Sequence, residues 1–221
     1  MYRYFLLLKS FLVISIKREL EYRTNTILSV AFSFVWVGTT YLILLVMFGQ
    51  AGKIAGWSMS DTTLLIMVYY VISTILRTFI TPSIVDFAQS IRLGRLDLLL
   101  TKPVDTQFMV SCNKFSFSLI SSALFGPALI VYGLLQRNIP VTLEQVAAFI
   151  LSLCATTFLM YGVFFLIMTS CVFADRLNNV VYLFTSTFDM ARYPKDIYGF
   201  IPQRIFTSIL PVALMVSVPA D

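Results

Sequence analysis

Three basic residues, one acid, a glycine and a proline fall within twelve consecutive positions near the middle of the chain: Arg92, Gly94, Arg95, Asp97, Lys102 and Pro103. None is a nucleophile. The chemistry open to such a set is recognition, through charge-assisted hydrogen bonds to another surface. Just upstream, Ile84, Phe87, Ala88 and Ile91 recur at i, i+3, i+4 and i+7, which is one face of a short amphipathic helix. Gly94 is expected to break that helix, and Leu96–Leu100 resumes an apolar patch around Asp97. Lys102-Pro103 ends the second piece, because proline has no amide donor and disfavours helix at the residue before it. The spacing predicts two short surface helices with Arg92, Arg95 and Lys102 turned to water. Basic residues so placed serve either as anchors or as a rigid lever that docks into a partner and passes its movement on. Spacing alone does not separate the two.

Catalytic chemistry is poorly supplied. The chain has no His, which removes most zinc sites, His-based triads and haem ligation together. Gly-x-Ser-x-Gly, His-Glu-x-x-His and the P-loop Gly-x-x-x-x-Gly-Lys-Ser/Thr are all missing, so no ATP site of the usual kind is expected here. Cys112, Cys154 and Cys171 are widely spaced in apolar surroundings and read as small hydrophobes. Asp189 lies three residues from Arg192, a spacing that reads as an interfacial ion pair.

The elements that position these residues follow from composition. Of 221 residues, 58% are apolar and 12% charged, and the mean hydropathy is +0.86. A soluble chain carries about 25% charge. With 20 Phe and so few charges to cover a surface, this chain belongs in a bilayer. It is expected to be an all-α polytopic membrane protein, organised as one transmembrane domain over residues 1–221.

Residues 1–24 mix Arg3, Lys9, Lys17, Arg18 and Arg23 with Phe, Leu and Tyr, as suits a helix lying at the membrane surface with snorkelling basic side chains. Residues 26–48 are uncharged and long enough for a span, which needs about 20 residues. A second span is expected over residues 62–80, with Arg77 close to its inner end. The loop of residues 82–108 follows, then spans over residues 115–136 and 146–174. A shorter fifth span is expected over residues 177–193, and residues 197–221 read as a re-entrant segment broken by Pro211.

Charge orients the spans. Eleven of the 16 Lys and Arg fall in residues 1–24, 77–114 and 175–176, whereas the two short loops opposite hold only Lys53 and Arg137. That bias places the N-terminus and the central loop in the cytoplasm. The net charge of +5 is accounted for this way and carries no nucleic-acid meaning.

The string from Ile91 to Phe108, Ile-Arg-Leu-Gly-Arg-Leu-Asp-Leu-Leu-Leu-Thr-Lys-Pro-Val-Asp-Thr-Gln-Phe, resembles the signature of ABC-2 transporter permeases, nearest to the small separate-subunit permeases of daunorubicin-resistance-type exporters. Arg192-Tyr-Pro194 and the segment with Pro202 and Pro211 are similar to that family's extracellular re-entrant segment. The resemblance implies the membrane half of an exporter, paired with a second permease chain, identical or related, and driven by a separate P-loop ATP-binding subunit. ATP and Mg would lie on that partner, so this chain would bind no cofactor and would not be an enzyme. Arg92, Gly94, Arg95, Leu96, Asp97, Leu100, Lys102 and Pro103 would form the coupling segment that touches the ATPase. The resemblance also implies a permease interface through the first and fifth spans, with Gly38 compatible. The setting would be the inner (plasma) membrane of a bacterium.

Family members continue past the re-entrant segment to a final span. This chain stops at Asp221, so it is expected to be a truncated one. Uncharged, aromatic-rich spans favour an amphipathic or lipid-like cargo over an ion. Ion-coupled transport is disfavoured because the clear spans hold almost no ionisable group. A non-transporting membrane scaffold or assembly subunit is the rival reading.

Overall fold

A computed structural model describes residues 2–54, 56–119 and 142–170, together with 182, 185, 186, 188–190, 192 and 193. Most of the expected third and fifth spans, and the re-entrant segment with Pro194, Pro202 and Pro211, lie outside the described residues.

The described chain is helical and contains no β-strand. Helix α1 (Tyr2–Glu21) and helix α2 (Arg23–Ala51) meet at Tyr22. Helix α3 (Met59–Ile75) runs through a π-helical turn (Leu76–Ile80) into helix α4 (Thr81–Arg92). Helix α5 (Leu96–Leu100) and helix α6 (Thr106–Cys112) follow, then a 3-10 turn (Phe117–Leu119) and helix α7 (Leu143–Ser170). Three runs are long and apolar enough to cross a membrane: Arg23–Gln50, Met59–Arg92 and Leu143–Ile167.

Local chemistry starts and stops these helices. Ser58 and Asp61 form a capping box at the head of α3, each side chain taking the other's backbone amide. Thr142 and Gln145 do the same at α7. Apolar residues surround α2 and α7 on every side, as expected of helices facing lipid. The core is centred on α3: Leu65, Ile66, Val68, Tyr69, Tyr70 and Ile72 pack against Leu44 and Phe48 of α2 and Met160 and Phe164 of α7.

The helix that holds the expected second span is longer than that span. It does not stop at residue 80 with a separate surface helix beyond; α3 and α4 form one helical run of 34 residues. Pro82 explains the shape of the junction. Its ring crowds the carbonyl of Thr78, four residues back, and its missing N–H leaves that carbonyl without a helical partner. The backbone widens into a π turn, with Thr81 N–H reaching Leu76 O. The freed Thr78 carbonyl accepts instead from Ser116 N–H at 3.0 Å. The proline reshapes the helix without ending it.

Candidate functional site

The tip of the α3–α4 run is shaped by a glycine. Gly94 has φ +63°, a left-handed conformation that an L side chain adopts at a cost. Its N–H bonds Ile91 O at 3.0 Å, and Arg95 N–H bonds Ser90 O at 2.8 Å. This pair of bonds is a Schellman stop, which satisfies the last carbonyls of α4 and turns the chain sharply into α5.

The apolar face of α4 points inward. Ile84, Phe87 and Ala88 are buried and Ile91 is partly buried against the core. Leu96 and Leu99 of α5 also pack on the core, whereas Leu98 and Leu100 are exposed. Of the residues singled out in the sequence, Arg92, Gly94, Arg95, Asp97, Leu100, Lys102 and Pro103 are all exposed, and Leu96 is half-buried. They lie at and just beyond the C-terminal end of α4.

Fastenings far apart in sequence hold the base of α4 and the segment around α6. Ser83 Oγ donates to Lys114 O at 2.7 Å. Asp86 accepts from Asn113 Nδ2 at 2.7 Å and lies 3.7 Å from Lys114 Nζ. Helix α1 closes on the same stretch: Ser15 Oγ accepts from Phe115 N–H at 3.2 Å, and Glu19 Oε1 from Ser118 N–H at 2.8 Å. Tyr4 meets Phe108 edge-on, with ring centroids 5.0 Å apart. The loop of α4 to α6 is therefore bound into a body with α1 and α3. Sequence reasoning missed Ser15, Glu19, Ser83, Asp86 and Asn113, because bonds spanning 27 to 100 residues leave no local pattern. Burial pushes the Cys112 thiol up from its ordinary value, in keeping with its reading as a small hydrophobe.

A second cluster lies deeper in the molecule. Asp189 does not pair with Arg192 as the spacing implied. Its Oδ1 accepts from Arg77 Nη2 at 2.7 Å and from Tyr69 Oη at 2.6 Å. The guanidinium of Arg192 instead lies 5.5 Å from the centroid of Trp36 and 5.3 Å from that of Tyr193. Its Nη1 also reaches Thr40 Oγ1 at 3.4 Å, an oxygen that is bonded to Tyr70 Oη at 3.0 Å. Arg77 itself lies in the π turn, within the 34-residue run and not at its end. Arg77 thus sits inside a membrane-length run, where an ionisable residue is costly.

Among the described residues no cluster of His, Cys, Asp and Glu could hold a metal ion. No curated protein and no solved structure matches the chain. The family model described as ABC-2 family transporter protein matches residues 34–221, which takes in α3, the exposed tip and the deeper charged cluster. With its three membrane-length helices and its predominantly helical described structure, this polytopic membrane protein belongs to the ABC-2 transporter family.

Proposed function

We propose that the chain is the permease subunit of an ATP-driven exporter, which moves an amphipathic or lipid-like substrate outward and is driven by a separate P-loop ATP-binding subunit docked on the tip of α4 and α5. The observation that carries this reading is the continuity of α3 with α4. Their shared run buries its apolar face and ends in a Schellman stop that presents Arg92, Arg95, Asp97 and Lys102 to the aqueous side. A partner that pushes on that face acts on a body joined directly to a membrane helix. Gly94 and Pro103 shape the segment, while Leu96 anchors it and Leu98 and Leu100 offer an apolar contact.

A second permease chain, identical or related, is supported by the unequal cover of the spans. In the most apolar stretch of the α3–α4 run 61% of residues are buried, against 11% for α2. Lipid or a partner helix must cover the rest of α2. ATP and Mg belong to the ATPase subunit in this reading, with no cofactor on this chain. The N-terminus lies in the cytoplasm and the protein resides in the plasma membrane.

Gentle purification of the tagged chain from native membranes, with every accompanying polypeptide identified by mass, tests the reading. A stoichiometric P-loop ATPase is the expected result. A clean preparation without one after cross-linking would favour the scaffold reading instead. The charge-reversed pair Arg92→Glu with Arg95→Glu tests the docking face: ATP-dependent transport should fall about tenfold or more while the melting temperature barely moves. Unchanged transport would sink the lever.

A further inference from the structure

Between α2 and α3 runs a groove of about 520 Å³, lined by Phe32, Val35 and Trp36 on one side, by Tyr69 and Tyr70 on the other, and by Arg77 and Asp189. From this groove and the charges around it, we infer a binding site for an amphiphile with an anionic, phosphate-bearing head group, its acyl tail lying along the outer face of α2.

The charge count gives the sign of the ligand. Asp189 is the one carboxylate among the described residues that line the groove, and Arg77 already neutralises it at 2.7 Å. Arg192 stands directly behind the wall: it stacks on Trp36 and reaches Thr40, which holds the Tyr70 hydroxyl. Its Nε is buried and has no hydrogen-bond partner among the described residues. Among the described residues the groove and the wall behind it thus hold two guanidiniums and one carboxylate, a net positive charge. In a medium of low dielectric that charge acts strongly over several ångströms. An anion relieves it most, a zwitterion of no net charge less, and a cation not at all.

The walls give the rest of the ligand. Phe32, Val35 and Trp36 are largely exposed, at 70%, 65% and 59%, so one side of the groove opens onto the lipid-facing surface of α2. Arg77 keeps about half its side chain exposed, at 49%, and can turn donors toward a head group. A free inorganic anion would use the charge and leave the apolar wall uncovered. An acyl chain covers it, which favours a lipid over soluble phosphate.

The inference deepens the exporter reading, since it names the class of cargo, but its test needs neither nucleotide nor ATPase. Trp36 is one of two tryptophans, so a Trp57→Phe background leaves it as the only reporter. Phosphatidylglycerol and phosphatidylcholine with identical brominated chains are titrated against the purified chain in detergent micelles, and quenching of Trp36 is followed. Phosphatidylglycerol should quench at about tenfold lower concentration than phosphatidylcholine, and millimolar inorganic phosphate should leave its curve in place. Arg192→Gln should erase the preference, and Arg192→Lys should keep it. Asp189→Asn frees Arg77 and raises the net charge, so it should strengthen phosphatidylglycerol binding several-fold. A merely structural cluster would respond the other way, with Asp189→Asn and Arg192→Gln weakening binding alike. That result would overturn the site, as would equal quenching by both lipids or displacement of the lipid by inorganic phosphate. Failure to bind leaves the ATPase-driven reading intact, and a missing ATPase leaves the groove intact.

Discussion

The tip of α4 and α5 and the charged groove beside α3 both carry Arg and Asp, yet they are built on opposite principles. At the tip the charges are exposed and the backbone is arranged by its neighbours in sequence: Gly94 with Ile91, Arg95 with Ser90. In the groove the charges come together from 112 residues apart, as Arg77 meets Asp189. An exposed ion pair contributes little to stability, since water solvates each partner alone. A pair in the membrane region is different, because losing one partner strands a charge where solvation is poor. A charge at the tip can be lost at little cost, whereas losing one in the groove strands its partner.

The comparison breaks most readily at Asp189. Asp189→Leu should destabilise the chain by about 3 kcal/mol or more, and adding Arg77→Leu should recover much of the loss, since the stranded cation goes with it. Thermal unfolding in detergent of the two single variants and the double variant measures this. Additive losses would mean that the pair does not act as a unit. The corresponding removal of a charge at the tip, Asp97→Ala, should stay within about 0.5 kcal/mol.

Gly94 sharpens the local half of the comparison. No atom lies within 4 Å of where its Cβ would stand, so Gly94→Ala meets no clash and tests the backbone alone. It should cost about 1 kcal/mol, with Gly94→Asn nearer the native protein, because asparagine tolerates the left-handed region. Equal melting temperatures for all three proteins would show that the Schellman stop does not hold in solution.

Asp86 lies between these extremes, about a third exposed and tied to Asn113 and Lys114. Asp86→Ala should cost about 1 kcal/mol and should loosen residues 113–116 from α4, seen as faster amide exchange at Ser116. The smallest effect is at Cys112. Burial raises its thiol, so at pH 8 it holds less thiolate than an ordinary cysteine and should alkylate several-fold more slowly. Arg92→Glu with Arg95→Glu should leave that rate unchanged.

Composition and periodicity made much of this protein legible. The apolar excess specified membrane helices, and the recurrence of Ile84, Phe87, Ala88 and Ile91 marked the face of α4 that the core buries. Gly94 marked the turn, because only a residue without Cβ takes a positive φ freely. All of these depend on neighbours within about one helical turn or on bulk transfer to an apolar phase. Pro82 was harder: a proline that ends a helix and one that widens it look alike in sequence, and what decides is whether another group satisfies the freed carbonyl. Here Ser116, distant in sequence, does so. The partner of Asp189 was likewise settled by packing. Arg192 is nearer along the chain, but Trp36 and Thr40 hold it, and Arg77 and Tyr69 occupy the carboxylate. Helical spacing reports which residues share a face. Which charge meets which across helices is decided by how the helices pack, and only the tertiary structure holds that information.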